Sequence, residues 1–321
     1  MLLASAARVA YGAAAPRPAA PTPATLPEPA SASDRAVGEA CRRGLGGEAG
    51  SIVALDPANG RVIAIVNPSL GVANAFQPCS VFKIVVAVAG LTEGVITPET
   101  TVNCGSGCWM WPGHGPIDLR RALAVSCNRY FEWVGEQLGY ERVHQYARLL
   151  GLGEATGINL AVESRGVLPL RVLPSAVGHL SSHAAGIKTS ALQLAVLLAA
   201  TINGGVVYQP QIGPAAGFTP RERWRLPPGT VIRELADGFV SAVNEGSAAS
   251  AFDPQIVVAG KTGTCANLGW FASYAPADHP QIVIVVFLRW GSGHEASTVA
   301  GRIYQDLFHP ATTASTAASG R

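Results

Sequence analysis

The chain alternates between two hydrophobic periods. SIVALD (51–56) and RVIAIVN (61–67) are short β-branched runs divided by PANG, which predicts strand, turn and strand. QPCSVFKIVVAVAG (77–90) is then almost unbroken in apolar character after its head, which predicts a buried helix over about 80–91. A loop-rich stretch at 97–116 carries Trp109 and Trp111. DLRRALAVS (118–126) reads as a helix with Asp118 as N-cap. RYFEWVGEQLG and ERVHQYARLLG read as helices closed by glycine. SALQLAVLLAATINGG (190–205) and VIRELADGFVSAVNEG (231–246) add two more. IVVAGKTGT, LGWFASYAP and QIVIVVFLR predict three strands of an antiparallel meander, and EASTVAGRIYQDLF (295–308) a closing helix. Strands near both ends with helices between them predict an α+β domain, with one sheet assembled from both termini and a helical insert.

Composition narrows this without changing it. Only 14% of the 321 residues are charged and the formal net charge is +2, too balanced for a nucleic-acid surface. No apolar run reaches bilayer length; the best, IVIVVFL (282–288), has strand length. Residues 1–35 are rich in Ala and Pro and read as a disordered leader or linker. Residues 1–15 resemble the end of a secretion signal but lack a basic start and a long apolar centre. The folded domain is expected over 36–309 and a disordered tail over 310–321.

The candidate chemistry begins at the head of the apolar helix. Ser80 and Lys83 are three apart and so share one helical face. A hydroxyl in the first turn gains from the positive end of the helix dipole, and a neutral lysine within reach can take its proton. Ser126 and Asn128, in SCN, are two apart, so they can face one site only where a helix has ended. In KTGT, Lys261 and Gly263 share one strand face, and a glycine inside a strand marks close approach by something else. GKT is also part of a phosphate loop, but that loop needs glycine at position 255, which is Gln. Each motif alone also fits ordinary caps and surface residues. Together they are specific: the chain has three lysines, and two of them, Lys83 and Lys261, fall in these motifs.

The order S-x-x-K, S-x-N, K-T-G resembles that of the penicillin-binding proteins and serine β-lactamases. HGPIDLRRALAVSCNRYF, GLGEATGINL, VLP (167–169), LQLAVLLAATINGG and VAGKTGT with GWFASYAPAD extend the likeness over about 51–308, to the transpeptidase domain of class B penicillin-binding proteins. The resemblance implies a five-stranded antiparallel sheet flanked by helices, an all-helical subdomain and a cleft between them. It implies Ser80 as acylated nucleophile, Lys83 as its base, Ser126 as proton relay and Asn128 as holder of a substrate carbonyl. Lys261 would supply positive potential, Thr262 and Thr264 would bind a carboxylate, and Gly263 would leave the strand edge open to an extended peptide. The backbone amides of Ser80 and Thr264 would form the oxyanion hole. Partial burial, and the ammonium of Lys261, would lower the pKa of Lys83. The implied partners are peptidoglycan stem peptides, β-lactams and cell-wall synthesis proteins, outside the cytoplasm. No cofactor, metal or nucleic acid is implied.

The activity implied is that of a D,D-transpeptidase or D,D-carboxypeptidase, and two alternatives follow from the same motifs: a class D-like β-lactamase and a non-enzymatic β-lactam sensor. Asn128 in the second motif and the absence of Y-G-N and E-x-x-L-N argue against the lactamases. The cysteines depart from the family pattern. Cys79 stands where family members often have glycine, and Cys79, Cys127 and Cys265 flank or interrupt the three motifs. They read as small buried side chains or as a redox-sensitive set in which two thiols pair. Cys104 and Cys108, in CGSGC, read as a small disulfide loop or as free thiols; as a zinc site they lack four evident ligands.

Overall fold

The computed structural model describes residues 31–105, 108–110 and 112–309. Its centre is one sheet built from β1 (Gly50–Leu55), β2 (Arg61–Val66), β3 (Gln211–Ile212), β4 (Ala259–Cys265), β5 (Leu268–Ala275) and β6 (Ile282–Arg289). The strand order is β3-β2-β1-β6-β5-β4, so the two ends of the chain meet at the β1–β6 pair. There Val53 lies opposite Val285 in antiparallel register. The sheet has six strands rather than the five expected. The extra strand, β3, is two residues long and pairs parallel to β2 through Arg61 and Gln211. A two-residue strand bounded by Pro210 and Gly213 is too short to show a period.

Alternation along the central strands feeds two separate cores. Val53, Leu55, Val283, Val285 and Phe287 point into the larger one, with the helical subdomain. Ile52, Ala54, Ile284, Val286 and Leu288 point into the smaller one. That second face is covered by α1 (Ala32–Leu45), which closes against the C-terminal helix. The sequence reading placed 32–35 in the leader and found no helix here. The buried face of α1 is made of Asp34, Gly38, Ala40, Cys41, Gly44 and Leu45, mostly small residues with one ion-paired carboxylate among them. Its start is fixed by Ser31, whose side chain accepts from the Asp34 amide. The rest of the expected leader, and the tail from 310, lie outside the described residues.

The larger core is organised by α2 (Lys83–Thr92), in which every residue from Lys83 to Leu91 is buried. The expected helix at 80–91 therefore starts three residues late: Cys79–Phe82 is a tighter 3-10 turn. α2 packs against α4 (Asn128–Leu149) and α5 (Val177–His183), and α3 (Leu119–Ala124), α6 (Ala191–Ile202) and α7 (Ala236–Asn244) contribute to the same core. The glycine stop expected after RYFEWVGEQLG appears inside α4 as a break at Gly139, at φ 73°. The last helix, α8 (Gly293–Phe308), begins with a capping box between Ser292 and Glu295. The 97–116 loop contains a small hairpin, Val102–Cys104 against Gly115–Ile117; Trp111 lies outside the described residues.

Candidate active site

The S-x-x-K turn is held in place by three unlike contacts. Trp270 Nε1 donates to the Gln77 carbonyl at 2.8 Å. Cys79 adopts φ 54°, a conformation natural to glycine, and is bridged by a disulfide to Cys265 with Cα atoms 5.7 Å apart. Gly263 completes the seat. A Cβ at that position would come within 2.7 Å of the Pro78 carbonyl oxygen and 3.3 Å of the Ser80 amide nitrogen. So Gly263 lets the turn lie directly on β4, the close approach expected of a glycine inside a strand, while β4 stands at the edge of the sheet.

Lys83 is fully buried at the head of α2. Its Nζ donates to the Ser126 carbonyl at 2.8 Å, Ser126 Oγ at 3.2 Å and Asn128 Oδ1 at 2.7 Å. The S-x-N segment achieves this because α3 ends at Ala124 and Ser126 swings to φ 55° before Cys127 caps α4. This is the break in the helix that a spacing of two required. Burial lowers the Lys83 pKa to about 7, against smaller opposing effects from Cys127, Cys108 and Glu132. Near neutral pH the amine is thus part neutral, with two N–H bonds for the carbonyl and amide acceptors and a lone pair left to take a proton. No Ser80–Lys83 hydrogen bond occurs among the described residues.

Lys261 is equally buried and its Nζ donates to the Thr262 carbonyl at 3.0 Å. Its pKa falls well below the ordinary lysine value, first through burial and then through the charge of Lys83. The repulsion between the two ammonium groups is mutual, so each disfavours the other's charge, and burial is the first cause for both. On the other face of β4, Thr262 Oγ1 and Ser247 Oγ lie 2.6 Å apart, and Thr264 Oγ1 accepts from the Gly293 amide at 2.8 Å.

A cleft of about 440 Å³ joins these parts, lined among others by Ser80, Ser126, Asn128, Thr262 and Thr264. A larger hollow of about 560 Å³, around Thr230, Arg233 and Tyr274, holds none of the three motifs. Sequence reading missed His183, Ser247, Ser292, Gly293 and His294, which also line the cleft. Only Ser292 had a signal, the S-x-x-E spacing that begins α8. His183 Nε2 lies 3.2 Å from Asn128 Nδ2, and Gln77 Nε2 donates to the His183 carbonyl at 2.7 Å. The end of α5 therefore ties the first two motifs together.

Of the motif cysteines, Cys79 and Cys265 pair and Cys127 does not. Cys104 and Cys108 are also free rather than bonded to each other. They gather instead around His114 with Cys127, their donor atoms all within 4.8 Å of one another. These four residues could hold a metal ion, and so could Glu132, His179 and His183. The two potential ligands that the reading of CGSGC did not weigh are His114, six residues on, and Cys127 of the second motif.

The chain belongs to the penicillin-binding protein transpeptidase domain family, whose model matches residues 50–309. Stage V sporulation protein D of Bacillus subtilis is 28% identical over 292 residues, covering 78% of this chain and 45% of that protein. The peptidoglycan D,D-transpeptidase MrdA of Acinetobacter baumannii is 25% identical over 335 residues, covering 80% of this chain and 50% of that protein. The chain thus spans about half the length of these curated relatives. The transpeptidase domain of Burkholderia pseudomallei penicillin-binding protein 3 shares the fold, with TM-score 0.74 at 21% identity, covering 86% of this chain and 91% of that one.

Proposed function

We propose that this chain is a D,D-transpeptidase that cross-links peptidoglycan through an acyl-Ser80 intermediate. The observation that carries the reading is Lys83. A buried amine of pKa about 7 is held by Ser126 and Asn128, one turn from Ser80. In the proposed sequence Ser80 Oγ passes its proton to neutral Lys83 and attacks the carbonyl carbon of the penultimate D-Ala of a stem peptide. The Ser80 and Thr264 amides hold the oxyanion, an interaction worth about 3–4 kcal/mol per donor in such sites. The C–N bond breaks, and the proton returns through Ser126 to the departing D-Ala amine. An acceptor amine then attacks the acyl-enzyme, or water does, in which case the activity is that of a carboxypeptidase.

The terminal carboxylate of the donor would lie on Thr262 and Thr264. The positive end of α8 faces the same place through Ser292 and Gly293. An anion there would also favour the protonated form of Lys261. β-Lactams, carrying a carboxylate beside a strained amide, would acylate Ser80 and stay. The substrate requires a location outside the cytoplasm; among the described residues no helix is long and apolar enough to cross a membrane. A penicillin-binding protein 2 from Helicobacter pylori with the same fold was solved in complex with MreC, and partners of that cell-wall class are proposed here too.

Labelling with a fluorescent penicillin tests the nucleophile. Wild type should form a covalent adduct stable for hours and Ser80→Ala should form none. Labelling of Ser80→Ala would remove the assignment, and loss of label within minutes would favour a β-lactamase.

A further inference from the structure

We infer that the hollow beside Tyr274 is a second ligand site, suited to a short peptide with a free amine and a free carboxylate, and that α7 couples it to the catalytic cleft. The hollow lies at the far end of the sheet. Tyr274 of β5 pairs with Ala259, five residues and about 17 Å along β4 from Thr264. Its volume of about 560 Å³ falls in the range of about 300–1,000 Å³ typical of small-ligand pockets. Tyr274 is 1% exposed and lines the hollow, with the Phe239 ring edge-on to it at 6.3 Å. Tyr274 Oη has no hydrogen-bond partner among the described residues, whereas a polar atom so placed ordinarily has one. Burial, and then the charge of Asp237, hold the phenol protonated, so it is free to donate to a ligand carbonyl.

The rim supplies charges of both signs. Arg233 and Glu234 are exposed there and form no ion pair among the described residues. Asp278, from the turn between β5 and β6, also lines the hollow and pairs only with its neighbour His279. A purely anionic ligand would meet the carboxylates of Glu234, Asp278 and nearby Asp237 against one guanidinium. A zwitterion meets its complement at each end. The carboxylate of a short peptide would take Arg233 and its ammonium Glu234 or Asp278. A peptide carbonyl would accept from Tyr274 Oη, and small side chains would rest on Ile232 and Phe239.

The coupling runs along α7. The 3-10 turn Arg233–Leu235 at the rim leads directly into this helix. Gly238 lies so close to α3 that a Cβ there would stand 2.6 Å from Leu123 Cδ1. Past the end of α7, the Ser247 amide donates to the Ala124 carbonyl at 2.9 Å, and Ser247 Oγ lies 2.6 Å from Thr262 Oγ1. The helix thus touches the segments that carry both S-x-N and K-T-G. A ligand that binds best when the Arg233 turn is ordered therefore favours the ordered arrangement of both motifs.

The test uses the full chain, with tri-L-alanine as the probe. Isothermal titration calorimetry should detect binding, and N-acetyl-tri-L-alanine amide, which carries neither charge, should bind about tenfold more weakly or worse. Arg233→Ala and Tyr274→Phe should each weaken tri-L-alanine about fivefold or more. Tyr274→Phe should keep or raise the Tm, since the oxygen it removes bonds to nothing in the protein. Filling the cleft with penicillin beforehand should leave the affinity unchanged. Saturating tri-L-alanine should raise the penicillin acylation rate about twofold or more in wild type and not in Tyr274→Phe. The rate readout rests on the acyl-Ser80 chemistry proposed above and the calorimetry does not, so failure of one is read apart from failure of the other. No binding to wild type, equal binding of the capped peptide, or full affinity in either variant would overturn the site. Binding with an unchanged acylation rate would overturn the coupling.

Discussion

Lys83 Nζ and Asn128 Oδ1 lie 2.7 Å apart, so the base of the first motif is gripped by the amide of the second. A neutral amide orients the amine without stabilising its charge as an anion would. The Asn128→Asp variant separates those two effects. A carboxylate beside Lys83 favours the ammonium form and raises its pKa. At pH 7 the acylation rate should fall at least tenfold, and it should recover as pH rises beyond 8. Asn128→Ala should lose rate at every pH. Rate–pH profiles with a fluorescent penicillin distinguish the two.

The wild-type profile carries its own prediction. Lys83 must be neutral to act as base, and burial places its pKa at about 7. Because the folded-state value is lowered, the neutral form gains as pH rises. The acylation rate constant of the free enzyme should therefore climb through about pH 7 and level off above about pH 8. A rate still rising tenfold per pH unit at pH 9 would mean that burial does not set this pKa.

Cys79 and Cys265 are 186 residues apart and bridge the first and third motifs. Closing so long a loop stabilises by about 2–4 kcal/mol in typical proteins. Reduction, or Cys79→Ser with Cys265→Ser, should lower the Tm by several degrees and slow acylation, since Ser80 follows a residue at φ 54° that the bridge holds. Replacing Cys265 by Ser and Cys79 by Gly should recover part of the rate, because glycine adopts that φ without strain. Equal rates in the oxidised and reduced protein would show that the bridge contributes stability only.

The limits of sequence reading follow from the same contacts. The central strands and α2 were legible because β1, α2 and β6 are apolar runs of different length bounded by turn residues. The three motifs were legible because rare residue types recur in a known order. Several elements were not, among them α1, α5, β3, the hairpin in the 97–116 loop and the start of α2. α1 buries mostly small residues, β3 has no length for a period, and the S-x-x-K segment begins as a 3-10 turn at Cys79, whose φ is 54°. His183 and the His114 cluster were hidden for a different reason. His183 reaches the S-x-N segment from a separate element, and the His114 cluster closes only where Cys127 joins three residues of the 97–116 loop.

Gly263 gives the sharpest test of how the cleft is assembled. A methyl group there would stand 2.7 Å from the Pro78 carbonyl oxygen and 3.1 Å from Val81 Cγ2. The oxygen belongs to the backbone that carries Ser80, and the Gln77 carbonyl beside it is pinned by Trp270, so the turn cannot yield without moving the nucleophile. Overpacking of this kind costs about 1–3 kcal/mol. Gly263→Ala should therefore lower the Tm by several degrees while acylation falls a hundredfold or more, a loss larger than the fraction unfolded can explain. By contrast, Gly94→Ala meets no atom within 4 Å, although Gly94 sits at φ 69°, and it should cost only stability. If Gly263→Ala acylates as fast per folded molecule as wild type, β4 and the S-x-x-K turn do not need to touch for catalysis.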